Sequence, residues 1–298
     1  MGTWYSRHRL TITGVAFVVP ALLVVLIFFL YPAVQSFRLS VTDWNGISKS
    51  YNNVGLDNFR KVVDAPQFKQ LIYNTIFLIV LYVPVLNILS LLLAVVIYEL
   101  RRLANFYKVV LYLPNILSMV VVGVIWKVIY NPVFGPMAVM FERLGKESWV
   151  RDWLGQKSTV MPALSLSIIW YAVGFYLLIY LGGLSTVPKE VYESADIEGA
   201  SRLQRLVRIT VPMIAPSITI NVIVSMIGIL TIFDLPFVLT GGGPGYASQT
   251  MAISIYIYGF KSMQQGNAMA LAVILTVVTM AFAIIFLKIL RRNEVLYD

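Results

Sequence analysis

The chain has 298 residues, 59% hydrophobic and only 12% charged, with a formal net charge of +9 and no cysteine. Soluble domains are nearer half apolar and a quarter charged, and the apolar residues here fall in unbroken runs too long for a core of this size to bury. A water-soluble enzyme is excluded, and the missing cysteines exclude disulfides, thiolate metal sites and Cys nucleophiles while leaving the redox compartment open.

Six intervals carry no Asp, Glu, Lys or Arg: Leu10 to Phe37, Gln70 to Tyr98, Val109 to Trp126, Ser158 to Pro188, Ile209 to Phe233 and Ser262 to Leu287. Each reaches the roughly 18 to 20 residues that a membrane helix needs. Interior prolines (Pro20, Pro32, Pro84, Pro114, Pro162, Pro216) argue against strands, and open sheets cannot sit in lipid with unpaired backbone groups. The expectation is an all-α integral membrane protein forming one transmembrane domain over 1–298, with spans near 11–36, 71–98, 108–130, 160–184, 212–236 and 265–289. The first run is too long for a secretory signal and no A-x-A site follows it, so it reads as a retained helix. Met251 to Phe260 is too short to span and reads as interfacial or re-entrant.

Along a six-helix path, Arg7, Arg9, Arg101, Arg102, Lys108, Lys189, Arg202, Arg205, Arg208, Lys288, Arg291 and Arg292 fall on one side, 12 of the 23 basic residues. They sit in short segments close to helix ends, where the positive-inside rule acts, so both termini are expected in the cytoplasm. Topology therefore accounts for the net charge, and nucleic acid is not expected as a partner. The one histidine, His8, has no second ligand at helical spacing, so no metal site or His-based triad is available. Gly241-Gly-Gly-Pro-Gly245 lacks the Gly-Lys-Ser/Thr ending of a phosphate loop, and Glu147 follows Gly145-Lys146. Lys127 and Asp234 lie near outer helix ends and read as snorkelling side chains or a mutual ion pair.

The most patterned segment is the cytoplasmic loop 185–211 between helices four and five. Pro188 suits a first helical position, Glu190 and Glu193 suit the positive end of the helix dipole, and Gly199 suits a C-terminal cap. Ser201 and Gln204 have the spacing of a capping box. Beyond it Leu203, Leu206 and Val207 share one face and Arg202, Arg205 and Arg208 another, which also fits a helix lying on lipid with its arginines on phosphates.

Glu193-Ser194-Ala195, three residues, Gly199-Ala200, then Ile209-Thr-Val-Pro212 and Pro216 resemble the cytoplasmic "EAA" loop of the membrane subunits of binding-protein-dependent ABC importers. Tyr192, Asp196 and Gln204 are also in place. The resemblance covers nearly the whole chain and points to the carbohydrate branch that includes the maltose and glycerol-phosphate permeases. Supporting landmarks are Gly55-Leu-Asp-Asn58-Phe59, Asn74-Thr75, Leu113-Pro114, Trp126-Lys127 and Thr240-Gly-Gly-Gly-Pro244. Ser194 replaces the usual second alanine, and the large outer domain of the maltose-type subunit is absent.

The resemblance implies that the loop is a coupling helix seated in a cleft of a cytoplasmic ATPase, with Glu193 and Gly199 carrying the contact and Ala195 and Ala200 keeping the helix thin. It implies a second homologous permease subunit, a homodimeric ATPase that holds the ATP and magnesium, and an extracytoplasmic solute-binding protein, all at a prokaryotic cytoplasmic (inner) membrane. This chain would bind no cofactor and catalyse nothing itself.

Asn221, Ser225, Gly228 and Thr231 recur on one helical face, and Trp170, Tyr171 and Phe175 offer flat rings, a pattern that fits either a sugar path or ordinary helix packing. By resemblance to the maltose-type subunit the path would be lined by Tyr171, Ala172, Phe175, Gly228, Thr231 and Ile232. No basic residue falls near the middle of a span, which favours a neutral sugar or polyol over a sugar phosphate. The alternatives are a self-sufficient secondary carrier or channel, which needs coupling carboxylates or a filter within the membrane, and an intramembrane enzyme, which needs a cluster of His, Asp or Glu at one interface.

Overall fold

The computed structural model describes residues 2–100 and 102–291, with side chains from Thr13 onward except that of Ala16; Arg7, His8, Arg9, Arg101 and Arg292 lie outside the described side chains. Among the described residues the chain is helical, with one isolated antiparallel bridge, Thr42 to Asn53, and no strand. In chain order the helices are α1 (Thr13–Leu39), α2 (Asp57–Asp64), α3 (Phe68–Glu99), α4 (Ala104–Ile116), α5 (Met119–Ile129), α6 (Pro136–Arg143) and α7 (Val160–Leu184). There follow α8 (Lys189–Ile197), α9 (Arg202–Met213), α10 (Ala215–Leu230), α11 (Asp234–Thr240), α12 (Met251–Tyr256) and α13 (Gln265–Arg291).

Four of these, α1, α3, α7 and α13, are individually long and apolar enough to cross a bilayer. The pairs α4 with α5 and α9 with α10 each supply one further length, but they are bent by 97° and 76°. Proline accounts for the placement of both breaks, because it removes a helical N–H and crowds the preceding turn. Pro114 lies two residues before the end of α4, after which Leu117 and Ser118 are extended and the Ser118 hydroxyl caps α5 by accepting from the Val121 N–H at 3.3 Å. Pro216 opens α10 after Ile214 leaves helical geometry. Proline also follows two of the three π turns: Leu26–Leu30 precedes Pro32, and Leu206–Thr210 precedes Pro212. The interval 212–236 is further interrupted because α10 ends at Leu230 and a new helix begins at Asp234.

The described residues form two compact units, one drawn from those up to Ala65 and Ile255–Ile274, the other from those between Pro66 and Ser254 and from Leu275 onward. The larger unit is built around α7, whose most apolar window is 67% buried, against 33% for α3. Gly174 lets α7 meet α4 backbone to backbone, since a Cβ there would collide with the Leu111 carbonyl. One core cluster joins Leu86, Val122, Leu164, Met226 and Leu235, and a second joins Ala94, Ile97, Tyr180, Leu184 and Ile214.

A polar seam runs through that packing. The Tyr180 hydroxyl donates to Asn87 Oδ1 at 2.8 Å, Asn87 Nδ2 donates to Ser225 Oγ at 3.0 Å, and Asn221 Nδ2 donates to the Tyr176 carbonyl at 3.1 Å. Asn74 Nδ2 donates to the carbonyls of Tyr246 and Gln249, both at 3.0 Å, and so fixes the glycine-rich turn after α11. In the smaller unit Asn58 does the equivalent work, donating to the carbonyls of Ser40 at 2.8 Å and Thr42 at 2.7 Å. Two of the sequence landmarks are thus asparagines that hold irregular backbone, where unpaired carbonyls are costly.

Candidate functional site: the α8 segment and a groove beside α10

Pro188 takes extended geometry and stands just before α8 rather than inside it, which leaves Lys189 to open the helix. At the other end Glu198 is the last near-helical residue and Gly199 adopts φ +74°, a left-handed conformation that glycine takes without the Cβ penalty. The Ala200 N–H donates to the Ala195 carbonyl at 3.0 Å and the Gly199 N–H to the Asp196 carbonyl at 3.2 Å, the two bonds of a Schellman turn. The chain reverses there and enters α9 through the expected capping box. The Ser201 N–H donates to Gln204 Oε1 at 2.8 Å, and the Gln204 N–H donates to Ser201 Oγ at 3.3 Å.

The α8 surface is divided. Ala195 is buried, Tyr192 and Ala200 are half-buried, and Glu193, Ser194, Asp196 and Gly199 are exposed. Ser194 donates its hydroxyl to the Glu190 carbonyl at 2.8 Å. Its polar atom is satisfied within the helix, so the departure from alanine leaves the exposed face small.

Arg205 is a residue that the sequence pattern assigns only to a basic face. Its guanidinium lies 2.9 Å from Glu99 Oε1 and 3.2 Å from Asp196 Oδ1, and 5.4 Å from the centre of the Tyr192 ring. Tyr192 in turn meets the Thr210 hydroxyl at 3.4 Å. No local spacing announces this cluster, because Glu99 is 106 residues away.

The side chains expected to line a path separate into two environments. Ala172 and Ile232 are buried in the core, while Phe175, Gly228 and Thr231 are exposed on the chain. Tyr171 is half-buried, its hydroxyl 3.5 Å from the Asn115 carbonyl at the end of α4. Trp170 packs edge-on against Trp126 with 5.7 Å between ring centres. Asn221 and Ser225 belong to the polar seam, so the shared face divides into a packing half and an open half at Gly228 and Thr231.

Thr231 opens onto a groove of about 280 Å3 with Ile227 of α10 and Leu275, Thr276, Thr279, Met280 and Ala283 of α13. Thr231 satisfies its own hydroxyl on the Ile227 carbonyl at 2.9 Å, whereas Thr279 Oγ1 is buried without a partner. The threonines of α13 were not singled out by the sequence; three apart, 276 and 279 share a face, the signal that marks them. Lys127 and Asp234 are both exposed, and among the described residues neither enters an ion pair, so the expected alternative of a mutual salt bridge is not formed. Among the described residues no three His, Cys, Asp or Glu side chains are grouped as a metal site would require.

An all-helical membrane chain in which a short capped helix is suspended between two apolar segments has the architecture of an importer's membrane subunit. Residues 67–294 match the model of the family described as binding-protein-dependent transport system inner membrane component, and the chain belongs to that family. It is 31% identical over 280 residues to the probable ABC transporter permease protein YurN of Bacillus subtilis (strain 168), covering 93% of this chain and 96% of that one. It is 33% identical over 293 residues to the diacetylchitobiose uptake system permease protein NgcF of Streptomyces coelicolor, covering 93% and 83%. A chain of the crystal structure of a bacterial ABC transporter involved in the import of the acidic polysaccharide alginate matches it with a TM-score of 0.82 at 25% identity, over 97% of each chain.

The chain is therefore a multi-pass inner-membrane permease subunit of an ABC importer that works with a solute-binding protein. ATPase activity resides in partner subunits, and the self-sufficient carrier or channel is set aside.

Proposed function

We propose that this chain is a single transmembrane domain forming one half of a heterodimeric pathway for a neutral sugar or polyol. Its α8 is the coupling helix for a homodimeric cytoplasmic ATPase. Both termini lie in the cytoplasm, where α8 meets the ATPase, and a second homologous permease completes the pathway. The observation that carries the reading is the closure of α8: the Schellman turn at Gly199 and the capping box at Ser201 and Gln204 leave no slack between α8 and α9. A short helix so held moves as a rigid body, and closure of the ATPase pair on Glu193 and its exposed neighbours is passed through α9 to α10.

The groove beside α10 supports a neutral solute. It offers the hydroxyls of Thr231, Thr276 and Thr279 among apolar side chains and no charge, and an anion left there without a counter-charge is expensive. The relatives named for saccharides support a saccharide, the neutral charge resting on the groove alone, and Tyr171, Phe175, Gly228 and Thr231 are the residues proposed to meet it. Ala172 and Ile232 shape the path from behind.

Gentle purification of the tagged chain from its native membrane, with identification and counting of what accompanies it, tests the assembly. A second permease and two ATPase copies are expected. A chain recovered repeatedly alone, yet active in vesicles, would overturn the reading as one half of a pathway.

A further inference from the structure

We propose that Arg205 is a positioning residue that ties α8 to the C-terminal end of α3, so that motion of α8 is delivered to the core around α7 as well as along α9 to α10. The proposal rests on the reading of α8 as the coupling helix. Three elements converge on one guanidinium: Glu99 is the last residue of α3, Asp196 lies in α8 and Arg205 lies in α9. Its two terminal nitrogens take separate carboxylates, at 2.9 and 3.2 Å, and its plane lies over Tyr192 of α8. The Arg205 side chain is 22% exposed, less than its partners at 42% for Glu99 and 62% for Asp196.

Only the planar fork of arginine serves two carboxylates and a ring at once; a lysine ammonium is a point charge. The donors that a lipid-facing arginine would offer to phosphate are here turned onto carboxylates of its own chain. Isolated exposed ion pairs add little to stability, so the role assigned is mechanical connection. The destination of the connection is specific. Ile97 and Ala94, two and five residues before Glu99 on α3, lie in the core cluster that contains Leu177, Tyr180 and Leu184 of α7, and Tyr192 packs against that same cluster. Displacing α8 while Arg205 holds Glu99 must therefore carry the end of α3 with it, or break the fork.

The test is a double-mutant cycle on the complete transporter, reconstituted with its binding protein, reading solute imported per ATP hydrolysed. Arg205→Gln and Glu99→Gln are each expected to lower that ratio by about 2- to 30-fold, the range such coupling changes cover. The double variant is expected to be no worse than the poorer single one, because both remove one connection. An unchanged ratio in Glu99→Gln, or losses that multiply in the double variant, would overturn the proposal. Glu99→Gln keeps the test available if Arg205→Gln fails to assemble, since it leaves Arg205 with Asp196 and Tyr192. Gly199→Pro in the same assay separates the two readings. If it abolishes import while Glu99→Gln and Arg205→Gln leave the ratio intact, the clamp alone is wrong. If it imports normally, the coupling role of α8 fails first.

Discussion

Thr279 is a buried hydroxyl without a partner beside a groove, and in an apolar setting an unmade hydrogen bond costs about 1 to 3 kcal/mol. A solute hydroxyl entering the proposed path would supply the missing bond. Thr279→Val, which keeps the shape and removes the hydroxyl, is expected to hold or raise the thermal midpoint of the purified chain and to lower solute import severalfold. A normal import rate would return Thr279 to packing. The residues legible in the sequence were those whose partners are local. Gly199, Ser201 and Gln204 follow from rules that operate within one turn. Arg205 and Glu99 did not, because each reads alone as a charged membrane flank. Asn58 and Asn74 stood out only through the family resemblance, and their acceptors are backbone carbonyls that no residue pattern encodes.

Helices follow a similar division. Charge-free intervals revealed where apolar segments lie, since length and composition alone decide what lipid tolerates. They did not reveal that two intervals bend, because apolarity continues through Leu117 and Ser118 and through Ile214; the prolines marked the places without giving the angles. The small polar residues of α10 fitted either solute or packing, and the buried side chains assign Asn221 and Ser225 to packing with α3 and α7. Asn87 is the centre of that seam: Asn87→Ala removes the acceptor of the Tyr180 hydroxyl and a donor to Ser225, whose own hydroxyl keeps the Val222 carbonyl. A loss of about 1 kcal/mol is expected, read as a lower unfolding midpoint in detergent. An unchanged midpoint would mean that the seam contributes no net stability.

For the molecule as a whole, burial grades from α7, 67% buried in its most apolar window, through α13 at 17%, to α1 at 0%. Apolar helices that the chain itself does not cover require lipid or another subunit, in keeping with a permease that functions inside a complex. The central claim is that α8, closed at Gly199, transmits ATPase motion. At φ +74° a Cβ on Gly199 would meet no neighbouring atom, so Gly199→Ala isolates the backbone cost, about 1 to 2 kcal/mol. Proline goes further: it demands a negative φ and deletes the N–H that donates to Asp196. The most direct measurement is ATP-driven solute uptake into vesicles containing the assembled transporter with native, Gly199→Ala or Gly199→Pro chain, at matched membrane levels. Uptake is predicted to fall partly with alanine and to be lost with proline while the complex stays assembled; native uptake by the proline variant would contradict the account.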